Sequence, residues 1–351
     1  VTTIGQSAFE KCSGFTGKLK IPESVTTIGN FAFSYCSGFT GDLTIPNSVT
    51  TIGESAFFYC SGFTGKLTIP SSVTTIGGSA FVGCTGFTGN LSLPISLEVV
   101  GSRSFENCSN IQTINFQSLP NGISAYLGAQ KKTVSLSDDS YISDKASGTV
   151  DAISYTRQMS NDWGTLVLPY PLTLNGSEPY SLYAIDKIDG EELVLKQLNG
   201  EVAAGTPCVV KRNGSEAELT FGANKAKLNM AIDGKTVGDM TFRGTYWTEE
   251  VNSGYVISKG SFWNVEELKK SELGNAVKVN PFRAWLDGTS ANAPAQLSIR
   301  IDGSATGIDA IDALNDAEAE YYDLSGKRLN EPQRGVNIVR TADGKTKKVL
   351  N

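Results

Sequence analysis

Along the first third of the chain, apolar and polar positions return at one fixed interval. Ile4, Ile28, Ile52, Ile76 and Val100 lie 24 residues apart. So do Ala8, Ala32, Ala56 and Ala80, and so do Phe9, Phe33, Phe57, Phe81 and Phe105. Within each unit the pattern predicts two short strands. Leu67-Thr68-Ile69-Pro70 and Val73-Thr74-Thr75-Ile76-Gly77 alternate, are β-branched, and stop at a Pro or Gly that cannot continue a ladder. Ser79 to Cys84 predicts a tight, partly helical or irregular return, and Thr85-Gly86-Phe87-Thr88-Gly89 closes the unit on two glycines suited to sharp turns. A period of this length marks a solenoid, in which each coil buries its apolar edge against its neighbours.

Stacking places each position over its own copies. The Phe column at 9, 33, 57, 81 and 105 and a second at 15, 39, 63 and 87 are expected in the core. At strand spacing, five coils make a stack about 24 Å long. Cys12, Cys36, Cys60, Cys84 and Cys108 form a further column. Side chains in a column point the same way, so a buried thiol ladder is expected rather than disulfides or a tetrahedral zinc site, which needs converging ligands. Cys208 stands apart and reads as a small core residue.

Columns that vary between otherwise matching coils are expected to face out. One such pair is Glu10-Lys11, Ser34-Tyr35, Phe58-Tyr59, Val82-Gly83 and Glu106-Asn107; another column is Gln6, Asn30, Glu54, Gly78 and Ser102, with Phe31 beside Asn30. Phe31, Tyr35, Phe58 and Tyr59 are therefore the candidate ligand-binding residues, as exposed aromatics on coils two and three. The competing reading has them covering a lateral edge.

The pattern Leu-x-Ile-Pro-x-Ser-Val-Thr-x-Ile-Gly-x-x-Ala-Phe-x-x-Cys resembles the BspA-like leucine-rich repeat of bacterial surface proteins. The resemblance implies a cell-surface protein that binds host matrix proteins or other bacteria. Val1 opens in mid-repeat, so a leader and further coils are expected upstream.

From Asn121 the repeat is gone. Short alternating segments follow, such as Asp151 to Arg157, Trp163 to Pro169, Tyr180 to Ile188, Pro207 to Lys211 and Leu297 to Ile301. They are joined by turns such as Asp189-Gly190, Asn199-Gly200 and Asn213-Gly214. One short helix is expected at Asn264 to Lys270. This pattern predicts an all-β, sandwich-like domain. Tyr155-Thr156-Arg157, Ala204-Gly205-Thr206-Pro207 and Val279 to Leu286 resemble a β-rich domain that follows repeats in secreted proteins of Bacteroidetes. Trp163, Trp247, Trp263 and Trp285 all fall here, and at strand positions they are read as core before they are read as a sugar platform. Ser304 to Asp316 reads as a linker. The tail, with Tyr-Asp-Leu-Ser-Gly-Lys-Arg and an Asp343-Gly344 turn, resembles C-terminal β modules of secreted proteins of Bacteroidetes. The expected organisation is a solenoid over 1–119, a β-sandwich over 120–303, and a linker with a small C-terminal β-hairpin module over 304–351.

Composition narrows the chemistry. A net charge of −6 and a pI near 5.0 argue against nucleic acid as a partner. No apolar run is long enough to span a bilayer. With 0 His among 351 residues, His-based general bases, Ser-His and Cys-His nucleophiles and the commonest zinc ligand are excluded. Asp138-Asp139, Glu191-Glu192 and Glu249-Glu250 are adjacent acids, which strand geometry sends to opposite faces. Asp186 to Glu191 lacks the ligand alternation of a calcium loop. Composition leaves no catalytic residue, metal or cofactor to expect, and the resemblance implies a secreted or surface-exposed binding protein. Its partners are protein ligands reached through the solenoid; the alternative is glycan binding by the β-sandwich, with the solenoid as a stalk.

Overall fold

The computed structural model describes residues 1–123, 131–271, 276–288 and 293–302, and the backbone of four later strands. The repeats form a solenoid. Thr3–Ile4, Thr27–Ile28, Thr51–Ile52, Thr75–Ile76 and Val99–Val100 make one parallel ladder in strict 24-residue register. Leu43–Thr44 and Leu67–Thr68 pair in parallel on a second side. The return segment is hydrogen-bonded along the axis as well: Phe33 N donates to Ala56 O at 2.8 Å, and Phe57 N to Ala80 O at 2.8 Å. Every side of the coil therefore satisfies its backbone through the next coil.

Close approach of the coils depends on one column. A Cβ on Gly53 would lie 2.6 Å from Asn30 N, and one on Gly77 2.5 Å from Glu54 N, so only glycine fits where Val-Thr-Thr-Ile-Gly ends. Inside, the Phe rings stack face to face: Phe33 on Phe57 at 5.2 Å, Phe57 on Phe81 at 5.3 Å, and Phe81 on Phe105 at 5.3 Å. Phe9, with a neighbour on one side only, is 37% exposed, whereas Phe57 is fully buried. The thiols have a definite role beside them. Cys36, Cys60, Cys84 and Cys108 each donate to the carbonyl of Phe9, Phe33, Phe57 and Phe81 respectively, at 2.9–3.0 Å. All six cysteines are free thiols. Burial pushes Cys60 and Cys108 up to about 12.

Parallel stacking does not stop at residue 119. On another side of the coil, Gly89–Leu93, Ile111–Phe116, Lys131–Leu136 and Gly148–Gln158 form a separate parallel series, with Leu93, Phe116, Val134 and Ile153 in register. Here the coils have lost the repeat's consensus but kept the alternation that buries one face. Glu218–Leu228 then pairs antiparallel with Gly148–Gln158 and closes the series.

Where two packed sheets were expected, ten strands form a single hydrogen-bonded sheet. Its order is Trp163–Leu166, Cys208–Arg212, Tyr180–Asp189, Glu192–Gln197, Gln296–Ile301, Ser261–Asn264, Tyr255–Ser258, Arg283–Asp287, Met240–Thr245, Lys235–Val237. It curls until its halves meet. Thr165 Oγ1 donates to Ala284 O at 2.7 Å and accepts from Ala284 N at 2.9 Å, and Lys235 Nζ donates to Ile185 O. A run of alternating strands reads the same whether its inner faces belong to two sheets or to one curled sheet. The inside holds Ile185, Leu193, Leu195, Phe242, Phe262, Leu286 and Leu297. The expected helix is Val265–Ser271.

The core of the repeats continues into this region through Tyr155, Phe221, Tyr246 and Phe282. Tyr155 lies 4.4 Å from Phe282, and Trp247 Nε1 donates to Ile142 O at 2.8 Å. In the tail, where a hairpin was expected, Glu320–Tyr322, Arg328–Leu329, Val336–Arg340 and Thr346–Leu350 form a four-stranded antiparallel sheet. The expected linker and the Asp343-Gly344 turn lie outside the described residues.

Candidate functional site

The return segment of each coil carries two left-handed positions. Ser7, Phe31, Ser55, Ser79 and Arg103 have φ of 54, 57, 53, 56 and 62°; Lys11, Tyr35, Tyr59, Gly83 and Asn107 have 60, 59, 53, 72 and 60°. Such φ values favour Gly and Asn and are costly for bulky side chains. Gly83 and Asn107 follow that rule; Tyr35 and Tyr59 break it.

The structure brings three of the four candidate aromatics together. Tyr35 and Tyr59 stack at 5.7 Å and 12°, with Phe58 edge-on to Tyr35 at 5.5 Å and to Tyr59 at 4.7 Å. Tyr35 and Tyr59 are 44% and 45% exposed, and Phe58 is half-buried. The backbone beneath is fixed: Tyr35 N donates to Phe58 O and Tyr59 N to Val82 O, both at 2.7 Å. The Tyr59 ring lies over Gly83, where an added Cβ would sit 3.0 Å from it. The result is a fixed aromatic shelf on the flank of coils two and three. Phe31 is half-buried on the other left-handed column and makes no ring contact with the shelf.

Variation between coils is not a clean mark of exposure. Tyr35, Tyr59, Lys11 and Asn107 face out, but in the column beside them Ser34 and Val82 are buried. One carboxylate in each of two acidic pairs is engaged elsewhere. Asp138 pairs with Arg283 at 2.8 Å and accepts from Tyr155 Oη, and Glu192 pairs with Arg300 at 2.8 Å. Asp189, in the weak calcium-loop pattern, faces Lys187 at 3.4 Å and Arg300 at 3.3 Å. Among the described residues, no three His, Cys, Asp or Glu gather as metal ligands. Trp285 is buried, Trp163 and Trp263 are half-buried, and Trp247 is exposed with its Nε1 tied to Ile142 O. They do not form a common platform.

Residues 2–134 match the BspA type Leucine rich repeat region, in six copies. The matched range runs past residue 119 and into Lys131–Leu136, which pairs in parallel with Ile111–Phe116. A region of this type points to protein interaction or a surface role and is typically non-enzymatic. The chain matches no curated protein and no solved structure. No helix among the described residues is long and apolar enough to cross a membrane.

A cleft of about 530 Å³ opens in the curled-sheet region and is lined by Arg157, Lys259, Lys278 and Arg283. Its only sequence signal is parity. Arg157 shares the inward-facing register of Val150, Ile153 and Tyr155 along its strand, allowing for one offset, and is buried with the latter.

Proposed function

We propose that the protein is a non-enzymatic, secreted or cell-surface binding protein that engages protein ligands, on host matrix or on other bacteria, through the flank of the solenoid. The observation that carries this reading is the Tyr35–Phe58–Tyr59 shelf. Stacked, half-exposed aromatics on a rigid backbone offer large contact area at low entropic cost, as interaction hot spots do. Their left-handed backbone adds weight, because the fold itself would be better served by Gly or Asn at those positions.

A stable interface buries about 800 Å² per partner. The flank of five coils is about 24 Å long at strand spacing, so a ligand must use most of it. Affinity per molecule is therefore modest, and many copies on one surface raise it through effective concentration. The test is binding of the intact chain to a panel of matrix proteins, beside a variant with Tyr35, Phe58 and Tyr59 all changed to Ser. A ligand held equally by both proteins removes the shelf from the account.

A further inference from the structure

The cleft in the curled-sheet region is a built site of one charge sign. Its described lining contains four cations, Arg157, Lys259, Lys278 and Arg283, and no carboxylate, in a chain of net charge −6. Arg283 is already paired with Asp138 outside the lining. Lys259 and Lys278 are exposed at the rim, on the Tyr255–Asn264 hairpin and the Val277–Val279 strand. Arg157 is different. It is 8% exposed, its Nη1 donates to Thr165 O at 2.6 Å, and its Nε is buried with no acceptor. It has no ion pair among the described residues.

A buried guanidinium with no carboxylate in direct contact carries a desolvation cost, which the Thr165 hydrogen bond and the attraction of Asp138 offset only in part. The fold nevertheless makes room for it. Gly164 leaves the guanidinium space at the cleft wall: a Cβ there would lie 2.5 Å from Arg157 Nη2. Burial and the nearby Arg283 lower Arg157 only to about 10, so it remains a cation at neutral pH. Met159, Trp163, Ile257 and Val277 give the cleft an apolar wall, and its volume suits a small molecule.

From this arrangement we infer that the cleft binds a small organic anion, of the size of an acidic monosaccharide, whose carboxylate or sulfate group is held by Arg157 and framed by Lys259 and Lys278. Arg supplies the charge-assisted hydrogen bonds that such oxoanions accept, and the rim lysines raise the local anion concentration. This site is distinct from the aromatic shelf, and neither depends on the other.

The intact chain is titrated by calorimetry with sodium glucuronate, sodium sulfate and glucose. Saturable one-to-one binding of glucuronate, weakened as salt is raised, is the expected result. Sulfate competing for the same site extends recognition to oxoanions in general, and sulfate failing to compete restricts it to carboxylates; both uphold the site. Arg157→Gln should weaken glucuronate at least about tenfold, the loss of one charge-assisted contact. Because Arg157 is buried, the exposed pair Lys259→Glu and Lys278→Glu gives a second reading in a protein whose core is untouched, with a loss of similar size. Glucose bound as well as glucuronate, neither anion bound, or glucuronate affinity unchanged in the rim variant overturns the inference.

Discussion

Tyr35 and Tyr59 lie stacked 5.7 Å apart on consecutive coils, and both hold backbone angles that tyrosine disfavours, with φ of 59° and 53°. The coil imposes the angle, since Lys11, Gly83 and Asn107 share it at equivalent positions. Tyrosine is thus not there for the backbone. Replacing both with Asn should leave stability within about 1 kcal/mol of the parent, because relief of strain offsets the lost ring contacts. Urea denaturation checks this. A loss well beyond that size would make the shelf a structural edge rather than a contact surface.

Phe57 presents the opposite case. Its ring is fully buried and stacked on both sides, so coils above and below cannot collapse into the space it leaves. Phe57→Ala should cost about 3–5 kcal/mol, the range for large core aromatics. Urea denaturation checks this, and a cost under about 1 kcal/mol would contradict the burial of the column.

The repeat was legible because the solenoid writes the same instruction five times. Ile52, Phe57 and Cys60 could be placed inside from their spacing alone. The extension through Val134 and Ile153 was not, since those coils keep only strand alternation, which does not identify its neighbours. The curled sheet was hidden for the same reason: the contacts that close it, such as Thr165 to Ala284, join residues 119 apart. At the candidate site, the pairing of Tyr35 with Tyr59 follows from the period, whereas Phe31 stands off because its column leaves on a different side of the turn. Arg157 looked like any strand residue until its burial was known.

The thiol column predicts a chemical signature. Cys36, Cys60, Cys84, Cys108 and Cys208 are buried, so the native protein should leave these five thiols unreacted with Ellman's reagent on a fast timescale. Denatured without reductant, it should release six thiols. Four or fewer would mean that disulfides form.

The same column gives a pH dependence. Burial raises the folded thiols of Cys60 and Cys108 to about 12, above the ordinary value of 9.0. Above pH 9 the unfolded chain loses protons that the folded chain retains, which favours unfolding. Stability from this source is therefore complete below about pH 8.5 and is lost as pH rises toward 12. Denaturation midpoints measured from pH 7 to pH 10.5 should fall over the alkaline part, and fall less in Cys60→Ala relative to its own neutral value. A flat profile would show the thiols to be solvated.

The most direct test of the whole account is a crossed binding measurement on two folded variants. One carries Tyr35→Ser, Phe58→Ser and Tyr59→Ser; the other carries Lys259→Glu and Lys278→Glu. Each is titrated with the matrix protein that the parent chain binds best and with sodium glucuronate. The first variant should lose the protein ligand and keep glucuronate, while the second should keep the protein ligand and lose glucuronate. Retention of the protein ligand by the first variant, with its loss from the second, would place protein recognition on the curled sheet and contradict the solenoid as the binding surface.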